Sequence, residues 1–157
     1  MAEDDRQTLE LKDAVKLALE ESRVIVPGIQ ALFGFQLVVV FNNRFDELFG
    51  AVAQRLHLTA LVLVALSCVL LLTPAAFHRA AGNAIVSRYL LKVAARFIGW
   101  GMVPLMLAIS IDVGLVGYAV MGSEGVGIAM GSAALVVNSC LWFVFPRWAR
   151  RRHEAGA

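Results

Sequence analysis

Four long apolar runs dominate the chain, covering about residues 24–41, 56–77, 97–120 and 126–145. Each is bounded by charged residues, glycine or proline. An α-helix of about 18 or more apolar residues matches the hydrocarbon thickness of a bilayer, and only helices satisfy their own backbone hydrogen bonds there. The pattern therefore predicts an all-α fold, an integral membrane four-helix bundle over residues 24–145. Ahead of it, Leu11, Ala14, Val15, Ala18 and Leu19 recur at helical spacing, while Lys12, Asp13, Lys16, Glu20 and Glu21 fall elsewhere. That spacing predicts an amphipathic surface helix over 8–22, inside a cytoplasmic N-terminal segment 1–23. Residues 146–157 form a basic cytoplasmic tail.

Breaker residues set the expected boundaries. Pro27 lies near the start of the first run, where a missing N–H is tolerated. Asn42, Asn43 and Arg44 end that run, and 42–55 reads as a short connection. Pro74 marks the exit of the second run, with His78 and Arg79 after it. Gly82 and Asn83 mark a turn, Ser87 is placed to cap the next helix, and Met121–Gly125 make a glycine-rich turn. Pro146 is expected to stop the fourth helix.

Composition adds little to this frame. The 157 residues suffice for one domain, and 59% are hydrophobic, more than a soluble domain usually carries. Residues 1–23 are acidic and charged throughout, unlike a cleavable signal, so the first run is expected to remain in the mature protein. Cys68 and Cys140 lie singly in apolar runs. Neither a disulfide framework nor a metal site is expected from them.

Charge placement carries more information than the net charge of +2. The N-terminal segment, the middle loop with its approach to the third run, and the tail together hold 12 of the 14 Lys and Arg residues, leaving Arg44 and Arg55 for the opposite side. The positive-inside rule then puts both termini in the cytoplasm. Tyr89, Trp100, Trp142 and Trp148 lie near the same boundary, as an aromatic belt would. Arg88, Lys92 and Arg96 recur at i, i+4 and i+8 and are candidates for anionic lipid headgroups. Membrane lipids are the expected partners, and no nucleic acid is expected.

Asp112 is the most informative residue. It lies within the third run, where a carboxylate costs about 2.5–3.5 kcal/mol to insert, and so should face protein or a wet cavity. Gly101, Pro104 and Ala108 share its helical stripe, and Pro104 leaves the Trp100 carbonyl without its helix partner. Gln36, in the first run at a similar depth, is the first candidate to donate to Asp112. His57, at the outer end of the second run, is the second, and Arg55 is within reach from the same end. Gln30 and Asn138 each need a partner in lipid-excluded space, either as interhelical hydrogen bonds or as a polar lining. Gly127 and Gly131, with Ala134 and Asn138 on the same stripe, allow close helix packing, within the bundle or between copies. His57 and His78 sit a full span apart on one helix, which does not suit haem. No nucleophile, metal-protease or nucleotide-binding fingerprint occurs. No cofactor and no enzymatic activity are expected.

Several local runs carry a resemblance. Glu21-Ser22-Arg23-Val24 leads to Pro27-Gly28-Ile29-Gln30-Ala31-Leu32-Phe33-Gly34-Phe35-Gln36. Leu56-His57, then Pro74-Ala75-Ala76-Phe77-His78-Arg79, then Pro104-Leu105 and Asp112 follow in order. Over about residues 15–120 the chain resembles a family of small bacterial four-span membrane proteins catalogued only as a domain of unknown function. The resemblance implies a bacterial cytoplasmic-membrane protein. It also groups Gln30, Gln36, His57, His78, Arg79 and Asp112 into one pattern, without an activity.

Two classes of function are compatible with these features. One is a small channel or transporter for an unidentified ion or solute, working as a homo-oligomer because four short helices enclose little space. The other is a non-transporting regulatory, stress-related or assembly module, using the polar N-terminal helix and the basic face.

Overall fold

In the computed structural model the described residues are 17, 20, 24–81 and 88–155. Most of the expected N-terminal surface helix therefore lies outside them. Leu17 and Glu20 are helical and exposed.

All regular structure among the described residues is helical, as the apolar runs require. Helix α1 covers Val24–Val40, α2 Phe45–Leu48, α3 Ala51–Ala81, α4 Arg88–Met121 and α5 Glu124–Ser139. A single π-helical turn, Cys140–Val144, leads into α6, Phe145–Ala155. Three stretches are long and apolar enough to cross a membrane: Ala51–Phe77, Lys92–Met121 and Glu124–Ala149. The apolar part of α1 is shorter, 17 residues.

Several boundaries differ from the sequence expectation, each for a local reason. The 42–55 connection is largely helical. Asn42 accepts from the Arg44 amide through its side chain, and the Phe45 amide donates back to Asn42 O. Then α2 makes one turn, and α3 starts at Ala51, five residues before the expected Leu56. Gln54 explains the early start, because its side chain bonds both Phe49 O and Asp46 Oδ1 and ties α2 to the first turn of α3. Pro74 does not end α3, which continues to Ala81. Nor does Pro146 stop the last helix. The π turn before it widens the backbone, so that the Phe145 amide donates to Cys140 O, and the clash of a proline ring with a preceding carbonyl is relieved.

The chain divides into two compact units. One comprises residues 1–35 and 64–103, the other 36–63 and 104–157. In the first, Ile29 of α1, Val64, Ser67 and Leu71 of α3, and Ala94 of α4 are buried. Gly101 lies against Leu71, where an added methyl would come within 2.9 Å of the Leu71 side chain. Beside it, Ser67 Oγ donates to Gly101 O at 2.8 Å. That bond supports the backbone one residue from the carbonyl that Pro104 leaves unpartnered.

In the second unit, α4 and α5 are joined by a two-residue turn. Gly122 adopts φ +62, a left-handed conformation that suits glycine, and Ser123 is extended. The helices then approach through glycine. A methyl on Gly127 would lie 2.8 Å from Gly114 O, and one on Gly131 2.9 Å from Ser110 O. Gly127 and Gly131 thus serve packing within the chain. Phe45, Phe49 and Leu115 form a small core beside this contact. Outside its glycine stripe α5 buries almost nothing, and Ile128, Val136 and Val137 are exposed, as are Leu141 and Val144 of the π turn. Such a surface suits hydrocarbon or another protein rather than water. A groove of about 780 Å³ runs between α3, α4 and α5, lined mainly by apolar side chains, with Ser110, Tyr118, Glu124 and Ser132 as polar members.

Candidate functional site

Helical phase decides which polar residues of α1 turn inward. Ile29 and Gln36 are seven residues apart, about two turns, and both are 4% exposed. Gln30 is one position off that face and is exposed. Gln30 therefore takes no part in the polar cluster of this chain. Asn138 is half-buried on α5, and no hydrogen bond joins it to the polar residues assembled around Gln36.

Those residues form a compact cluster within the second unit. Gln36 Nε2 donates to Asp112 Oδ2 at 2.6 Å. His57 Nε2 contacts the backbone carbonyl of Gln36 at 3.0 Å. His57 Nδ1 faces Asp112 Oδ1 at 3.9 Å, inside ion-pair range. One helix supplies the amide and a carbonyl, a second the imidazole and a third the carboxylate, so the cluster joins α1, α3 and α4. Gln36 and His57 are buried, and the Asp112 side chain is 20% exposed. Phe45 of α2 covers the imidazole edge-on, with ring centroids 5.5 Å apart.

His57 is deeper than its place at the end of an apolar run suggested. Because α3 starts at Ala51, His57 lies about 9 Å along that helix, and Asp112 about 14 Å from the end of α4. The short α2 and Phe45 were missed by sequence reasoning, since one helical turn leaves no periodic signal. Gln54, which fastens α2 to α3, was also missed. Arg55 is exposed and takes no part in the cluster. Of the basic stripe, Lys92 and Arg96 are exposed on α4, and Arg88 begins that helix. In α6, Arg152 stacks over Trp148 at 4.1 Å, and Arg147 donates to Phe143 O.

The cluster's polar capacity is nearly used. Nε2 of Gln36 is spent on the carboxylate, but Oε1 of the same amide is buried without a hydrogen-bond partner. Among the described residues no group of three or more His, Cys, Asp or Glu side chains is placed to hold a metal ion. Asp112 does not line the apolar groove, although its neighbour Ile111 does.

A family of unknown function, DUF6328, matches residues 5–146. The chain belongs to this family. The match takes in every residue of the cluster and extends through the fourth apolar run, beyond the stretch over which the resemblance was legible. No curated protein and no solved structure matches the chain. Family membership and the apolar helices together describe a membrane protein of unknown function.

Proposed function

We propose that the protein is a four-span protein of a bacterial cytoplasmic membrane, with both termini inside, that moves a small ion or solute as a homo-oligomer through a path using Asp112. The observation that supports this is the Gln36–Asp112–His57 cluster. Ionisable side chains at such depth in apolar helices are costly, and they commonly mark ion or proton paths. Orientation is supported by the 12 basic residues on one side, and oligomerisation by the exposed apolar face of α5. Arg88, Lys92 and Arg96 would meet anionic headgroups at the inner surface. An enzymatic role has no nucleophile or cofactor motif behind it.

Purified protein in liposomes tests the reading. Wild type should carry flux under an ion or solute gradient, and Asp112→Asn should reduce it to the level of protein-free vesicles. Flux that is unchanged in Asp112→Asn removes the carboxylate from the mechanism.

A second reading, a non-transporting regulatory, stress-related or assembly module, draws on a different observation. Asp112 is directly bonded to Gln36, and the groove beside it is apolar, an arrangement that also serves to fix helices. Recovery of one stoichiometric protein partner from membranes, with no flux in liposomes, would favour this class.

A further inference from the structure

The bonding of His57 dictates where its protons sit. A carbonyl oxygen only accepts, so the 3.0 Å contact with Gln36 O makes Nε2 the N–H nitrogen. In a neutral ring Nδ1 is then a bare lone pair, and it faces Asp112 Oδ1 at 3.9 Å. An ionised carboxylate is likewise only an acceptor. With no proton between them, two acceptors oppose each other and the site carries a net negative charge. With two protons the site is net positive. One proton leaves it neutral, either as imidazolium beside carboxylate or as neutral imidazole beside carboxylic acid. Surroundings of low dielectric penalise net charge and favour the neutral count.

Other charges do not alter that count by direct contact. Within the second unit, the charged groups on the elements around the site are Arg44 before α2, Asp46 and Glu47 on α2, Arg55 on α3 and Glu124 on α5. All are exposed, and Asp46 is held by Gln54. Gln36 Oε1 is the buried acceptor left over. It offers a docking point for a water or hydronium donor next to the carboxylate.

We propose that Gln36, His57 and Asp112 form a one-proton binding site, and that the proton is the ion this protein exchanges. The occupancy follows from geometry. The role as exchanged ion rests on the transport reading above. The 3.9 Å separation exceeds a hydrogen bond by about 1 Å, so transfer within the pair requires the two side chains to close by that amount. The Nδ1–H bond breaks, an O–H bond forms at Oδ1, imidazolium becomes neutral imidazole and carboxylate becomes carboxylic acid. The site remains neutral before and after. Gln36 is a positioning residue, holding Asp112 through its amide and His57 through its carbonyl.

The test uses the full chain in lipid bilayers near neutral pH. ¹⁵N-histidine NMR reads the ring, with His57 assigned by its loss in His57→Gln. The infrared C=O band of a carboxylic acid, assigned by its loss in Asp112→Asn, reads the carboxyl. In wild type one of the two groups should be protonated and not both: imidazolium without an acid band, or an acid band with a neutral Nε2–H ring. A neutral ring beside a carboxylate, or both groups protonated, overturns the proposal, and wild-type spectra with neither an imidazolium signal nor an acid band overturn it without any variant. A proton gradient across the same proteoliposomes then separates the two claims. One bound proton without any flux keeps the site and removes the transport reading. Flux carried by another ion and not by protons overturns the assignment of the exchanged ion. Proton flux from a site with neither group protonated overturns the occupancy and leaves transport standing.

Discussion

Helix α4 is held on two opposite faces by opposite means. Asp112 and Gly114 are two residues apart, about 200° around a helix of 3.6 residues per turn. On the Asp112 face the partners are an amide and an imidazole, and the attraction is directional. On the Gly114 face the partners are Gly127 and Gly131, and the contact consists of backbone against backbone. In hydrocarbon the hydrophobic effect does not drive helices together, so close packing and interhelical hydrogen bonds are what remain. This helix uses one on each side. The glycine face is intolerant of any added atom, because what it would strike is backbone. The polar face is tolerant of shape and intolerant of a missing partner.

The largest effect should come from the glycine face. Gly127→Leu would drive a side chain into Gly114 O and Tyr118. It should cost about 3 kcal/mol or more, measured as the shift in unfolding midpoint in mixed micelles. Survival of wild-type stability would mean that α5 does not depend on this contact. On the polar face, Gln36→Leu removes the donor to Asp112 and should cost about 2 kcal/mol, since the 2.6 Å bond is lost and the mostly buried carboxyl keeps only His57 Nδ1, beyond hydrogen-bond distance. Adding Asp112→Leu to that variant should recover most of the loss, to within about 1 kcal/mol of wild type, because both members of the bond are then apolar and only Nδ1 of a neutral His57 loses its neighbour. A double variant less stable than Gln36→Leu alone would show that the pair contributes more than its own desolvation takes away. The smallest effect concerns coupling between the faces. Gly127→Ala and Gln36→Leu touch no common partner, so their costs should add within about 0.5 kcal/mol. A larger interaction energy would mean that α4 moves as a lever between its two contacts.

The two faces were not equally legible in the sequence. The helices themselves follow from the apolar runs, because hydrocarbon leaves the backbone few alternatives. Gln36 and Asp112 come together by depth counting alone, since both lie a few residues outward of the middle of their runs. The Gly127–Gly131 stripe announced a close approach, but not its partner. That depended on the tightness of the Gly122–Ser123 turn, which folds α5 straight back onto α4. The place of His57 was misjudged because α3 begins earlier than its hydrophobicity does. Gln54 and the one-turn helix α2 extend it by packing and capping, and neither leaves a periodic trace. Proline misled at the other end. Pro146 reads as a stop on propensity, yet one widened turn lets the helix run through it.

The two-residue joint at Gly122–Ser123 also bears on how the chain is held together. Two extended residues span at most about 7 Å, so the end of α4 and the start of α5 are held side by side with no free loop between them. α4 and α5 therefore form one helical hairpin, with the carboxylate of Glu124 at its tip. A chain truncated just after Met121 would therefore keep Gly114 and lose the Gly127 and Gly131 backbone that packs against it.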